Sequence, residues 1–319
     1  MKVMEQVPRA DIAACFSWQY QPTTDTRLPD LYERAKASMW NASRDLPWET
    51  PVDVEALAEA DGSRHVGLAA GDISGTALAR WSRRNWIEFA MESQNWTLSQ
   101  FLHGEQGALL AAGRLVETTP SLDAKIYAGI QAADEARHVE AFSRYLDTKL
   151  SGHYNVNHHL RTFMFDLLSD SRWDITFLGM QIMIEGLALA AFGLLYQTTT
   201  EPLLRKLLKL VRADEARHVA FGLTELQCVY PGLTSAELAE RQEFALEAAI
   251  RLRDRLLRQE VWDRLGVPRA EGAEVLRRSS AHHAFQNSLF VKVLGNCERL
   301  GLLDFRSRWL REKLTQYGF

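Results

Sequence analysis

The heptapeptide ADEARHV stands at Ala133–Val139 and again, letter for letter, at Ala213–Val219, eighty positions further on. On a helix the Glu and His of E-x-x-H leave the same face, one turn from each other. One such pair is an ordinary solvated helix surface; two identical copies ask for a shared task. The same offset relates Glu105 to Glu185, Leu109 to Leu189 and Gly113 to Gly193. Glu105, in HGEQGALLAAG, precedes Glu135 by thirty residues, and Glu185, in IEGLALAAFG, precedes Glu215 by the same distance.

The chain therefore offers two helix pairs, each bringing one Glu and then one E-x-x-H. Four helices that place four carboxylates and two imidazoles at one depth of a bundle supply the ligand set of a carboxylate-bridged di-iron or di-manganese site. Without metal the four carboxylates would repel one another in an apolar interior, whereas two divalent cations neutralise them. The expected metal ligands, and the catalytic centre, are Glu105, Glu135, His138, Glu185, Glu215 and His218. The absence of thiolates from the set disfavours soft metals and suits iron or manganese. Asp134 and Asp214 lie four residues before the two histidines and are expected to accept the second imidazole N–H, from their own helix or the facing one. Arg137 and Arg217 are expected to hold those aspartates in a charge-assisted network. The remaining histidines are read otherwise. His158, His159, His282 and His283 are expected at the surface or satisfied locally, and His103, two residues from Glu105, on a different helix face.

Composition narrows the function class. A formal net charge of −4 gives no basic footprint for nucleic acid. Hydrophobic residues at 46% and charged residues at 24% are those of a soluble globular chain. Cys15, Cys228 and Cys297 form no C-x-x-C pair, which argues against a disulfide framework, a structural zinc or a rubredoxin-type iron. The N-terminal MKVMEQVPRADIAACF lacks the apolar run of a signal peptide, and a reducing cytoplasm is expected. Ile175–Tyr196 is long enough to cross a bilayer but carries Gln181 and Glu185 near its middle. It is read as the central helix of a soluble bundle, with no membrane span. The arginines Arg251, Arg253, Arg255 and Arg258 are read as a solvated helix face.

Pro120, Pro202, Pro231 and Pro268, with Gly152, Gly232 and Gly266, punctuate long segments free of strand-like alternation. The pattern predicts an all-α protein with helices at 76–117, 121–150, 156–198, 201–229, 235–264 and 272–316, and one more around Leu31–Ala42. PSLD at 120–123 and SAEL after Thr234 read as helix starts. Residues 1–75 are expected to form an extension packed on the core, 76–234 the di-metal core, and 235–319 additional C-terminal helices of one globular unit.

The spacing Glu105…Glu135-x-x-His138…Glu185…Glu215-x-x-His218 resembles the ferritin-like di-iron carboxylate superfamily, and in particular its ribonucleotide-reductase-small-subunit-like branch. DEARH is similar to the wording in di-iron monooxygenase hydroxylases and in the ligand-binding oxidases related to reductase small subunits. LYERAKASMWNASRDLPW, Leu31–Trp48, is similar to that branch's entry segment. The resemblance implies a ferritin-like four-helix bundle with additional N- and C-terminal helices. It implies two iron ions, or manganese with iron, and O2 as co-substrate. It also implies an external electron donor such as a reductase or ferredoxin, and hydroxylation, N-oxygenation, desaturation or cleavage of a small organic substrate. Two other readings stay open, a radical-generating subunit and an iron-binding ferroxidase, as does a homodimer. Phe142 stands where reductase small subunits typically carry a radical tyrosine, with Gly222 as its counterpart. Ala188-Leu189 stand where multicomponent hydroxylases carry a threonine. Phe101, Phe142, Gln181, Ala188, Leu189, Phe192 and Phe221, one turn from the ligands, are expected to line the substrate pocket. The small Ala188 and Gly222 are expected to leave room there for an apolar or aromatic molecule or an acyl chain.

Overall fold

The computed structural model describes residue 14 and residues 25–61, 68–303 and 307–319. The N-terminal stretch MKVMEQVPRADIAACF, residue 14 apart, lies outside them, and Cys15 with it. Every regular element among the described residues is a helix. Two long helical hairpins make the centre. The first pairs Arg83–Thr118 with Leu122–Lys149, and the second pairs Trp173–Thr198 with Pro202–Val229.

Local chemistry sets these boundaries. The Ser82 side chain accepts the Asn85 N–H at the start of the first helix. Ser121, after Pro120, accepts from Ala124 N–H and opens the second. Pro202 occupies the first turn of the fourth, where a missing N–H is harmless. Glu201 caps that helix, accepting from Leu203 N–H at 2.7 Å and Leu204 N–H at 2.5 Å. Thr234 and Glu237 form the reciprocal cap expected at SAEL.

Four expected helices are interrupted, the span 76–117 by a short 3₁₀ turn, Ala77–Arg80, and two extended residues before the helix that starts at Arg83. The span 156–198 stops at Ser169, because the Asp170 carboxylate turns back to accept Arg172 N–H at 2.8 Å, and restarts at Trp173. The span 235–264 ends at Asp254, and Arg258, at φ 51°, separates it from Gln259–Arg264. The span 272–316 is three helices, Arg269–Arg278, Ser280–Arg299 and Trp309–Gln316, with Gly301 at φ 75° after the second. The break at Asp254 also corrects the arginine reading: Arg255 is only 8% exposed and lies inward, next to the buried Leu256, rather than on a solvated face.

The apolar Trp173–Thr198 helix is long enough to cross a membrane, yet every residue from Asp174 to Leu187 is buried within the protein. One hydrophobic cluster runs from Leu28 and Ala35 through Leu115, Phe163, Leu187 and Leu226 to Leu289 and Leu314, so segments before and after the hairpins share their core. A second gathers Trp40, Trp48, Phe101, Phe142, Phe192 and Val211.

The Glu201 cap also accepts the buried Tyr145 hydroxyl at 2.9 Å. Glu201→Ala removes a helix cap and strands a phenol, and is expected to cost about 2 kcal/mol or more in urea unfolding. A loss within error of zero would show that the cap is not holding the fourth helix.

Candidate metal centre

All six side chains singled out by the eighty-residue repeat meet between the two hairpins. Glu105 is 5% exposed, Glu185 and Glu215 2%, and Glu135, His138 and His218 are fully buried. Their donor atoms form two groups, each able to hold a metal ion, in which the atoms lie within 4.8 Å of one another. One group is Glu105, Glu135, His138 and Glu215; the other is Glu135, Glu185, Glu215 and His218. Glu135 and Glu215 belong to both. His138 Nδ1 lies 3.1 Å from Glu135 Oε2, 3.2 Å from Glu215 Oε1 and 3.3 Å from Glu105 Oε2. His218 Nδ1 lies 3.1 Å from Glu135 Oε1 and 3.7 Å from Glu215 Oε2. Both rings therefore turn Nδ1 inward.

The outward nitrogens are engaged across the hairpin boundary. His138 Nε2 is 3.0 Å from Asp214 Oδ2, and His218 Nε2 is 3.3 Å from Asp134 Oδ2. Each aspartate thus serves the histidine of the opposite hairpin, the second of the two arrangements the sequence leaves open. An Nε2–H donated to carboxylate leaves Nδ1 facing the cluster, where it donates to the glutamates while protonated and would offer a lone pair to a metal once deprotonated. Arg137 pairs with both Asp134 and Asp214, and Arg217 pairs with Asp214 and lies 3.9 Å from Asp134. Trp40, which the sequence pattern does not single out, joins this network. Its indole N–H donates to Asp214 Oδ2 at 2.8 Å, and its ring stacks on His138 at 6.2 Å between centroids. Its signal lay in the Leu31–Trp48 segment, which marks an entry strand of chain but assigns no role to any one residue.

Burial pushes Glu105 well above the usual carboxylate range, and Glu185 likewise, with nearby acids adding to both shifts. Burial acts the same way on Glu135, but the charge of His218 and the bonds from both histidines outweigh it and hold that carboxyl low. Burial disfavours charge on His138 and His218, yet the facing acids, led by Glu105 and Glu135 respectively, raise both imidazoles. Glu105, Glu185 and the two histidines thus bind their protons more tightly folded than unfolded. The stability they contribute is complete below their ordinary values of 4.5 and 6.5 and is lost as pH rises through the elevated folded values. Chelator-treated protein is accordingly expected to melt at progressively lower temperature from pH 6.5 to pH 9. A melting temperature that rises over that interval would contradict the assignment.

A second residue without a repeat signature touches the ligands directly. Gln131 Nε2 donates to Glu185 Oε1 at 2.7 Å and to Glu135 Oε1 at 3.1 Å. Gln181, the buried amide that wanted a partner, donates to Gln131 Oε1 at 3.3 Å. Gln181 lies in Leu178–Ile184, a π-helical stretch just before Glu185, the kind of irregularity that recurs at functional sites.

The expected pocket residues divide. Phe101, Phe142 and Phe192 pack on one another, with ring centroids 4.6–5.9 Å apart. Phe221 instead packs against Tyr127 and Phe177 at 4.5 and 4.8 Å. Ala188 is partly exposed, and Leu189 borders a cavity of about 320 Å³ with Gly186, Val219 and Val291. Gly222 does not open space: a Cβ there would come within 2.5 Å of Gln181 Cβ, so the glycine admits the amide side chain. His103 contacts Tyr154 O and Gln106 and none of the ligands, and His282 is buried with Nε2 unbonded, unlike the satisfied surface histidine expected. Gly222→Ala is expected to cost about 1–3 kcal/mol through overpacking and to displace Gln181. Full stability with an unmoved Gln181 in the variant's crystal structure would remove that account of the glycine.

No family model matches the sequence, and no curated protein matches it either. Solved structures do. A variant of the R2-like ligand-binding oxidase with an anaerobically reconstituted Mn/Fe cofactor aligns at 17% identity and TM-score 0.57, over 86% of this chain and 93% of that one. A second variant, also anaerobically reconstituted, aligns at 19% identity and TM-score 0.53, over 90% and 96%. A third, aerobically reconstituted, aligns at 16% identity and TM-score 0.57, over 89% and 94%. At such identities the likeness speaks for architecture, and it covers most of both chains: the protein has the all-α, ferritin-like fold of the R2-like ligand-binding oxidases.

Proposed function

We propose that the protein is a dinuclear non-haem metal oxidase that uses O2 to oxidise a small, largely apolar organic molecule. The observation that carries this reading is the pair of four-donor groups sharing Glu135 and Glu215. Shared carboxylates between two positions are what a bridged pair of ions requires. The Mn/Fe cofactor named for the structural neighbours supports iron, or manganese with iron, as occupants.

Glu105 and His138 would be the end ligands at one position, Glu185 and His218 those at the other, with Glu135 and Glu215 between. When bound, such a pair of ions supplies the electron-transfer chemistry that O2 reduction needs. The chain's own contribution is arrangement. Asp134 and Asp214 hold the Nε2 protons of His218 and His138, which keeps both Nδ1 atoms free for metal. Phe101 and Phe142 lie one turn from Glu105 and His138, and with Phe192 they form a dry aromatic wall beside that position. Such a wall excludes water and favours an apolar substrate. Phe142 carries no phenol, which weighs against radical storage at that place. Trp40, 7% exposed and joined through Asp214 to His138, offers an oxidisable side chain by which electrons from an external donor enter.

Two measurements test this. Wild-type protein is expected to bind two iron equivalents, and Glu185→Ala to lose at least one by atomic absorption; two equivalents retained in the variant would count against the ligand set. Rapid mixing of the ferrous protein with O2 is expected to give oxidation that a bound small molecule accelerates. A tyrosyl radical signal would instead favour the radical generator, and a substrate-indifferent reaction ending in mineralised iron the ferroxidase.

A further inference from the structure

The two halves of the centre repeat at an offset of eighty, but their surroundings do not. Gln131 corresponds to Val211, Gln181 to Phe101, and Gly222 to Phe142. The crossing contact from the first hairpin's second helix to the second hairpin's first helix is therefore an amide pair, Gln131 with Gln181. Its counterpart is hydrocarbon, with Phe101 and Val211 in one buried cluster. Gly222 belongs to the same substitution, since any Cβ there would strike Gln181.

The amide lies on one metal position only. Of the two Nε2 hydrogens of Gln131, one goes to Glu185, the end ligand beside His218, and the other to the shared Glu135. Glu105, the equivalent end ligand beside His138, meets no amide side chain among the described residues, and its Oε2 lies 3.3 Å from His138 Nδ1. Because Gln131 occupies Glu185 Oε1, the other oxygen, Oε2, is left buried without any hydrogen-bond partner among the described residues. A buried carboxylate oxygen with no partner is a rare and costly feature unless something binds it. Gln181 fixes the orientation of the Gln131 amide, whose oxygen it occupies, so that both N–H groups must point at acids.

We propose that Gln131, held by Gln181, is a positioning residue that makes the two metal positions inequivalent. It commits Glu185 to present Oε2 to the ion at the His218 position, and leaves Glu105 free to reorient at the other. This inference rests on the two-metal reading. Hydrogen-bond partners of metal ligands typically govern affinity by about ten- to hundredfold, and here the effect falls on one of two sites.

The test is a Co(II) titration of the chelator-treated, full-length protein, followed by visible absorption, which reports coordination geometry, and by calorimetry. Wild-type protein is expected to take up two equivalents in resolvable steps with different spectra. Gln131→Met, similar in volume and without donors, is expected to weaken one step by about ten- to hundredfold and change its spectrum, leaving the other step in place. Gln181→Met, which keeps the Gln131 donors but frees the amide to rotate, is expected to alter the same step by less, and serves if Gln131→Met does not fold. Folded Gln131→Met and Gln181→Met proteins that take up both equivalents with wild-type affinities and spectra would overturn the proposal while leaving the two-metal reading intact. Failure of wild-type protein to bind two equivalents would instead overturn that reading and the proposal with it.

Discussion

Six carboxylates, two imidazoles and the Arg137 guanidinium are buried together in the middle of an apolar bundle, with Arg217 half-buried at their edge, and nearly everything else in the structure follows from making that tolerable. Burying a lone charge is prohibitive, and burying like charges together is worse. The guanidiniums of Arg137 and Arg217 answer Asp134 and Asp214. In the metal-free site the histidines and the raised glutamates share protons among them; were those protons lost, the four glutamate charges would equal those of two divalent cations. The crossed aspartate–histidine contacts, the strongly shifted carboxyls and the unbonded oxygen of Glu185 are consequences of one electrostatic demand.

Much of this was legible in the sequence because it was written twice. An identity repeated at a fixed offset singles out Glu105, Glu135, His138 and their partners without knowledge of the fold, and the helical spacing of E-x-x-H supplies the geometry. Proline and glycine marked most helix ends for equally local reasons. What the sequence hid is what breaks the repeat. Gln131 and Trp40 have no copy eighty residues away, and a lone Gln or Trp on a helix or loop carries no spacing. The helix breaks at Asp170 and Arg258 depend on a side chain folding back and on a left-handed residue, neither of which a hydrophobic pattern records. The pocket was the least readable part. Residues one turn from the ligands do not share one void: Phe101, Phe142 and Phe192 fill space with each other, and Phe221 faces Tyr127.

The same break in symmetry divides the site. Phe101 and Phe142 lie one turn from Glu105 and His138, whereas the amide of Gln131, held by Gln181, lies against Glu185. The π-helical stretch Leu178–Ile184 brings Gln181 and Glu185 to the centre, and the missing Cβ at Gly222 lets the amide in. Three local departures from regular helix and repeat thus serve one corner of the site.

Each half of the donor set belongs to a different hairpin, and Glu105 and Glu215 are 110 residues apart along the chain. Neither hairpin alone brings together four donors of either group. Each hairpin supplies three donors of one group and takes the fourth, Glu215 or Glu135, from the other hairpin. Closing one hairpin on the other therefore completes both four-donor groups at once.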